Sequence, residues 1–255
     1  MTAALAISRA PEAVPQEALR ERVHVLESRP GVREVLLVSS GDSTLAHDQH
    51  AVIVLAGGGG GFAVTCPDGV PCVQGGLPLP QRQRLARAIG GPVMALSPPT
   101  DQPVMDRGWR MSDPHIADLQ AAVDWTKAQW PQAQTWVLGL NNGALSAAVA
   151  TASIDELAGA VLLACAEEAF DQPQKSDRMR VLAVRHRRES EPSYATLAHS
   201  RGRKTLVTLH DERAHHAETA HDGAVSGPRF GGKDFQVVDV VARWILTGTA
   251  PDEIR

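Results

Sequence analysis

The chain has 255 residues, of which 43% are hydrophobic and only 4% aromatic, and its formal net charge is −4. This length predicts one larger α/β domain, with two small domains as the alternative, and a core built from Ala, Val and Leu. The negative charge gives no electrostatic case for nucleic acid, and no run approaches the about 20 apolar residues of a membrane-spanning helix. We therefore expect neither a nucleic acid nor a membrane as partner.

The N-terminal region has helix formers with apolar spacing from Pro11 to Glu27, which predicts a short helix packed on the edge of the domain. Pro30 ends it, so we divide the chain into an N-terminal extension at 1–30 and a single domain at 31–255. The first residues lack a basic start and have only a short apolar run, which is not typical of a signal peptide. We expect a cytoplasmic protein, or a periplasmic one if a leader was removed.

Apolar runs that alternate with helical patterns predict a doubly wound, mostly parallel sheet with flanking helices. The run Ala51–Ala56 is apolar throughout, which is typical of a strand buried on both faces. Helices are predicted at Leu79–Ile89, at Asp113–Gln129 with Asp113 as the cap, and at Phe235–Leu246. Further strands are predicted at Val32–Ser39, Pro92–Ser97, Trp136–Leu138, Ala158–Ala164, Val181–Val184 and Thr205–Leu209.

Five consecutive glycines directly follow the strand Ala51–Ala56. The backbone N–H groups of such a loop can bind an anion or a polarised carbonyl oxygen, whereas the alternative is a flexible loop without a ligand. The spacing fits neither a P-loop nor a dinucleotide fingerprint. We therefore predict ligand binding by Gly57, Gly58, Gly59 and Gly60, and we expect no cofactor.

A tight turn follows the strand Trp136–Leu138, because three residues separate Gly139 from Gly143 before a small-residue helix. Side chains at those two positions would clash in so sharp a turn. The apex of the turn is Asn141, whose amide nitrogen is a poor nucleophile because its lone pair is delocalised. The frame is thus typical of a nucleophile site, but the reacting atom is missing.

This strand, turn and helix resemble the nucleophile elbow of the α/β-hydrolase family, Gly-x-Ser-x-Gly. The glycine run resembles the family's His-Gly-Gly-Gly oxyanion loop, with Ala56 where the histidine often stands. From about Val32 to Ile245 the chain is similar to a group of small bacterial α/β-hydrolase-fold proteins, which implies an α/β-hydrolase-like fold. The other segments that carry the resemblance are WRMSDPHIADLQAAVDW, AGAVLLAC, RVLAVRHRRESEPS and FGGKDFQVVDVVARWI.

The resemblance also implies where a catalytic triad would lie. The nucleophile position is Asn141, and the acid position is Glu189, with Glu191 as the near alternative. The histidine position is occupied by Pro228, and the nearest histidine is His221, seven residues earlier. Loss of both nucleophile and base is what a non-catalytic descendant would show.

We therefore interpret the chain as a non-hydrolytic protein that binds a small carbonyl-containing ligand or a protein partner. The pocket would lie between the glycine loop, Asn141 with Asn142, the Pro-rich loop that ends at Trp109, and the segment His221–Phe230. Asn141 would then donate a hydrogen bond to the bound carbonyl. Ser146, one helical turn beyond the elbow, is interpreted as a packing residue.

The alternative is an esterase-like hydrolase in which deamidation converts Asn141 to a nucleophilic Asp, with His221 as base and Glu189 as the group that orients it. Asn141 as an engineered replacement of a natural Ser would leave Pro228 unexplained. A third interpretation is an interaction protein that forms a homodimer through a sheet edge or the closing helix.

We consider two further segments as sites of cross-linking or metal binding, namely the loop with Cys66 and Cys72 and the His-rich segment His210–His221. Cys66 and Cys72 are close enough in a Gly/Pro-rich loop to form a disulfide, although the cytoplasmic location that we expect favours free thiols. The segment His210–His221 is rich in His, Asp and Glu, but its spacing lacks the tight repeat of a structural zinc site. We expect no metal; sensing of pH is another use of such histidines.

Overall fold

The computed structural model describes residues 20–40, 49–60, 62–65, 72–74, 81–164, 172, 174–187, 203–210, 230 and 232–255. Its strands are β1 (Arg20–Arg29), β2 (Val32–Ser40), β3 (His50–Leu55), β4 (Ala63–Thr65), β5 (Cys72–Gln74), β6 (Val93–Leu96), β7 (Gln134–Leu140), β8 (Leu157–Leu163), β9 (Arg180–His186), β10 (Arg203–Leu209) and β11 (Glu253–Ile254). Its helices are α1 (Arg82–Ile89), α2 (Arg107–Arg110), α3 (Asp113–Gln129), α4 (Asn142–Ser153) and α5 (Asp234–Thr247).

Nine strands form one sheet in the order β1-β2-β6-β3-β7-β8-β9-β10-β11, and β4 pairs with β5 in a separate hairpin. β2 is antiparallel to β1 and β6. The other seven strands of the sheet, β6, β3 and β7 to β11, run parallel to one another. The predicted doubly wound, mostly parallel sheet is therefore confirmed. Since the carboxyl ends of parallel strands share one edge, the loops after β3, β6 and β7 meet there.

Helices cover both faces of the sheet, which explains the all-apolar run in β3. Ile53 and Leu55 pack with α3 and α4 in one core cluster, whereas Val52 and Val54 pack with α1 and α5 in another. Alternate side chains of a strand point to opposite faces, so a strand between two helical layers must be apolar at every position. In the part of the chain that the structure describes, no helix is long and apolar enough to cross a membrane.

The predicted N-terminal helix is wrong for residues Arg20–Glu27, which lie in β1. β1 pairs with β2 from Arg20 opposite Ser40 to Arg29 opposite Val32. The spacing of apolar residues in this segment is compatible with a helix and with a strand. The segment is a strand because pairing with β2 supplies its backbone hydrogen bonds. The division at residue 30 accordingly cuts between two paired strands.

Helix α3 has the predicted bounds, but its cap differs from the prediction. The N-cap is Ser112, whose Oγ accepts from the His115 backbone N at 3.4 Å, so Asp113 is the first helical residue. The buried face carries polar side chains at three positions as well as the expected Leu and Ala. These polar residues are His115, Asp118 and Thr126, whereas Ile116 and Trp125 are only partly buried.

Candidate active site

The elbow keeps the strained backbone that the fold requires at its apex. Asn141 has φ 49° and ψ −121°, in the region that side chains disfavour. Its N–H donates to the Leu163 carbonyl of β8 and its carbonyl accepts from the Ala144 N–H of α4, both at 2.9 Å. These two bonds hold the half-buried side chain of Asn141 at the carboxyl edge of the sheet.

The glycines on either side of the apex are sterically required. A Cβ on Gly139 would lie 2.2 Å from the Gly143 carbonyl oxygen. A Cβ on Gly143 would lie 2.3 Å from the Leu55 oxygen and 2.7 Å from the Ala56 oxygen. The Gly-x-x-x-Gly pattern is therefore the condition under which α4 packs directly on the ends of β3 and β7, as the sequence predicted.

The structure brings the glycine loop against the elbow. A Cβ on Gly57 would lie 3.0 Å from the Asn141 Cβ and 2.7 Å from the Leu140 oxygen. The Asn142 Nδ2 donates to the Gly58 carbonyl at 3.4 Å. Gly57 and Gly58 are therefore in direct contact with Asn141 and Asn142.

The carbonyl groups of the glycine loop accept hydrogen bonds within the loop and from two neighbouring residues. The Gly57 carbonyl accepts from Gly60 N at 2.9 Å, and the Gly59 carbonyl accepts from Met105 N at 2.8 Å. The Gly58 carbonyl also accepts from Arg110 Nη2 at 3.1 Å. Because a peptide N–H points opposite to the preceding carbonyl, the position of each carbonyl also sets the direction of the following N–H.

Trp109 and Arg110 are neighbours on α2 but point to different places. The half-buried Trp109 ring lies 5.5 Å from the guanidinium carbon of Arg29 on β1. Arg110 instead reaches under the glycine loop. The contact of Trp109 is with the edge of the sheet, and ligand binding by Trp109 stays a prediction.

Arg110 is completely buried and connects three separate segments. Its Nη1 donates to Ser146 Oγ at 2.8 Å, and its Nη2 donates to the carbonyls of Ala56 and Gly58, each at 3.1 Å. These contacts tie the end of β3 and the glycine loop to α4. Burial lowers the pKa of Arg110 to about 10, so the guanidinium remains cationic at neutral pH.

Ser146 and His115 form a hydrogen-bonded pair beside Arg110, with His115 Nε2 2.9 Å from Ser146 Oγ. Burial, followed by the charges of Arg110 and Arg29, lowers the pKa of His115 to about 3, so its ring is neutral. The Ser146 oxygen accepts from Arg110 Nη1, and among the described residues the acceptor in contact with its hydroxyl is His115 Nε2, so we assign the hydroxyl hydrogen to the bond with Nε2. Ser146 is buried, as a packing residue would be, but its hydroxyl also carries these polar contacts.

A buried carboxyl group faces the same cluster from β2. Glu34 is 1% exposed, and its pKa is raised to about 9 by burial and then by the charge of Asp118. Asp118 itself accepts from Ser28 Oγ at 2.6 Å and from Arg29 Nε at 2.7 Å. Glu34 is therefore a neutral acid at pH 7, whereas Asp118 is held by a cation.

The sequence interpretation missed this cluster, although a signal for it was present. Arg110, His115 and Asp118 all lie in the segment WRMSDPHIADLQAAVDW, which had served only to mark the family resemblance. His115 and Asp118 stand three residues apart, on the face of α3 that also carries Leu119 and Ala122. Polar residues on the apolar face of a helix indicate a buried polar cluster.

Several predicted positions lie outside the described residues, among them His221, Glu189, Glu191, Pro228 and Cys66. From the His-rich segment the structure describes His210, whose N–H donates to the Ile254 carbonyl at 2.8 Å and whose carbonyl accepts from Lys233 Nζ at 2.6 Å. Within the described ranges, His, Cys, Asp and Glu form no group of three that could hold a metal ion.

Solved structures share this architecture at low sequence identity. One of two fungal esterases from Rhizomucor miehei matches 93% of this chain and 85% of its own, with a TM-score of 0.59 and 14% identity. The dienelactone hydrolase-like promiscuous phosphotriesterase P91, from metagenomic libraries, matches 88% and 98%, with a TM-score of 0.58 and 14% identity. A predicted CIB-like hydrolase from Thermoplasma acidophilum matches 89% and 99%, with a TM-score of 0.55 and 12% identity.

The chain has the α/β-hydrolase fold. Protein-family models give no match to the sequence, and neither do curated proteins. In this α/β-hydrolase fold, the apex of the elbow carries Asn141 where the family pattern has a nucleophile. The fold expected from the motifs is thus confirmed, and the chemistry of the site must be argued from its residues.

Proposed function

We propose that this α/β-hydrolase-fold protein does not hydrolyse its ligand, and that it binds a small carbonyl-containing molecule where the glycine loop meets the elbow. The observation that carries the proposal is Asn141 at φ 49°, half-buried and adjacent to Gly57. A carboxamide there can donate from Nδ2 to a carbonyl oxygen but cannot attack it. The backbone frame of the elbow then serves to position a hydrogen-bond donor.

The buried Ser146–His115 pair does not supply the missing chemistry. Ser146 is 0% exposed and His115 is 2% exposed. The Ser146 hydroxyl also lies between Arg110 and His115, with which it forms its hydrogen bonds. A Ser–His contact at 2.9 Å therefore acts in this protein as part of the support beneath the site.

One observation favours a second function, that of an esterase-like hydrolase. A strained apex costs about 1–3 kcal/mol, and such strain persists chiefly where function needs it. Deamidation of Asn141 would place a carboxylate nucleophile on that strained backbone, with His221 as base and Glu189 to orient the base. The structural neighbours named as esterases and hydrolases agree with this second function.

Turnover of short-chain p-nitrophenyl esters distinguishes the two functions. The wild-type protein should be inert, and Asn141→Ser should gain turnover if the base and the glycine loop are intact. Asn141→Asp tests the deamidated form directly, and mass spectrometry of the peptide containing Asn141 shows whether deamidation occurs. Ser146→Ala is the matched control, since it removes a hydroxyl that we place outside the reaction.

Turnover by the wild-type protein that is lost in His221→Ala would overturn the non-hydrolytic proposal. If the wild type and Asn141→Ser are both inert, the site has lost more than its nucleophile. Binding is then measured directly by NMR titration with small amides and ketones. Shifts of the Asn141 carboxamide signals that disappear in Asn141→Ala are expected, and the absence of any shift would contradict ligand binding at the elbow.

A further inference from the structure

Among the described residues, the buried guanidinium of Arg110 makes no hydrogen bond to a carboxylate. All three of its acceptors are neutral, namely the carbonyls of Ala56 and Gly58 and the hydroxyl of Ser146. The carboxylate whose charge stabilises the cation is Asp106, which is exposed and caps α2 by accepting from Trp109 N at 2.7 Å. A fully buried cation is costly unless an anion or strong dipoles compensate it.

Three polar atoms around this guanidinium lack a hydrogen-bond partner among the described residues. They are Arg110 Nε, His115 Nδ1 and Glu34 Oε2, and all three atoms are buried. Their side chains line one small cavity together with Ser97, Met105 and Ser146. The cavity has a volume of about 10 Å³, which is enough for one water molecule or one monatomic ion.

The three unpartnered atoms are all hydrogen-bond donors at neutral pH. Because His115 Nε2 accepts from Ser146, the ring hydrogen is on Nδ1. Arg110 Nε always carries a hydrogen, and the neutral carboxyl of Glu34 can present an O–H. A water molecule accepts only two hydrogen bonds and must place its own two hydrogens, whereas a spherical anion accepts from every side.

We propose that the cavity between Glu34, Arg110 and His115 binds one small monovalent anion of about the size of chloride. The anion compensates the Arg110 cation and accepts from three donors that come from β2, α2 and α3. It lies behind the glycine loop, since the same guanidinium holds the carbonyls of Ala56 and Gly58. This site is separate from the elbow and does not depend on the function proposed for it.

The surrounding charges set the pH range of binding. Arg29 is shared between Asp118 and Asp101, to which it donates at 2.7 Å and 2.9 Å, so these carboxylates already have a cation. Ionisation of Glu34 would place a negative charge against the anion, so affinity should fall as the pH rises through the pKa of Glu34, about 9. The charged and titratable groups around the cavity are Arg29, Glu34, Asp101, Asp106, Arg110, His115 and Asp118.

Bromide and chloride are the probes that test the proposal. Crystals grown in sodium bromide near neutral pH should show an anomalous bromine peak in the cavity. In solution, the Tm should be higher in sodium chloride or bromide than in sodium gluconate of equal ionic strength, because gluconate is too large to enter. A rise of about 2–4 °C is expected at saturating chloride for a protein of this size.

Two variants assign the effect to this cavity. Arg110→Met should abolish both the bromine peak and the chloride dependence of the Tm, whereas Arg84→Met, which removes an exposed arginine paired with Asp239, should leave them unchanged. If Arg110→Met does not fold, Glu34→Gln is decisive. It keeps a donor in place, so the chloride effect should persist at about pH 9.5, where the wild type should lose most of it.

The proposal is overturned if the cavity shows water density without bromine signal and the Tm is the same in chloride and gluconate. That result would mean that Glu34 is ionised and compensates Arg110 through a water molecule. A chloride effect of equal size in wild type and Arg110→Met would also overturn it, because the anion would then bind elsewhere.

Discussion

The elbow at Asn141 and the buried cluster of Arg110, His115 and Ser146 beneath it each have some features of a catalytic site, and neither has all of them. The elbow has the strained backbone, the adjacent glycine loop and partial exposure, but Asn141 stands at its apex. The cluster has a serine bonded to a histidine at 2.9 Å, but both side chains are buried. The difference shows that a reactive pair and an accessible position are separate requirements, and neither implies the other.

The two regions are also stabilised by different physical effects. The elbow depends on close approach of backbone atoms, which only glycine permits at Gly139 and Gly143. The cluster depends on the hydrogen bonds and ionisation of Glu34, Arg110 and His115. Substitutions should therefore act sterically in the first region and electrostatically in the second.

The largest effect is expected for Gly143→Ala. The new Cβ would lie 2.3 Å from the Leu55 oxygen, and neither backbone can move without disrupting β3 or α4. We expect the free energy of unfolding to fall by about 4 kcal/mol, at the upper end of single substitutions. Urea unfolding monitored by circular dichroism measures it.

Gly58→Ala is the matched control, since a Cβ there meets nothing within 4 Å and only its φ of +54° opposes the change. Its cost should be about 1 kcal/mol. Equal costs for the two variants would contradict a steric origin for the elbow pattern.

The cluster should make stability depend on pH. The pKa of Glu34 is raised to about 9 from 4.5, so its contribution is complete below about pH 4.5 and is lost as the pH rises towards 9. Between pH 6.5 and 9 the wild type should lose roughly 3 kcal/mol of unfolding free energy. Glu34→Gln should remove this slope, which urea titrations at several pH values would show.

His115 acts in the opposite direction. Its pKa is lowered to about 3 from 6.5, so its contribution is complete above about pH 6.5 and is lost as the pH falls towards 3. Glu34→Gln should therefore still lose unfolding free energy as the pH falls from 6.5 to 3. If Glu34→Gln also still loses unfolding free energy as the pH rises towards 9, the alkaline loss comes from groups other than Glu34.

The smallest effect, and the only stabilising one, is expected for Asn141→Gly. Glycine relieves the strain at φ 49° and ψ −121°, so the free energy of unfolding should rise by about 1 kcal/mol. Asn142→Gly, one residue later in α4, should instead be destabilising because it loses the bond to Gly58 and a better helix former. A destabilised Asn141→Gly would show that the carboxamide, rather than strain, dominates at the apex.

Much of the fold followed from the sequence because its signals are local. The run Ala51–Ala56 must be buried on both faces, and β3 is. Gly139 and Gly143 had to flank a sharp turn, and the measured approaches of 2.2 Å and 2.3 Å give the reason. The elbow and the glycine loop were likewise placed together correctly, since both follow central strands of one parallel sheet.

Two features depended on the tertiary structure. The segment Arg20–Arg29 has spacing compatible with a helix, and only pairing with β2 made it a strand. The buried cluster joins Arg110 to Ser146 and to Ala56, which are 36 and 54 residues away. No local pattern encodes such contacts, because they arise when loops from separate strands converge.

The sequence by itself determined the strands β2, β3 and β6 to β10, the long helices, the glycines of the elbow and the absence of a nucleophile at Asn141, since each is a property of a short segment. The tertiary structure decided that β1 is a strand, that Ser146 lies against His115, and that Arg110 is buried with no hydrogen bond to a carboxylate among the described residues. Burial and ionisation depend on everything that surrounds a side chain, so the polar support beneath the site became visible only in the folded molecule.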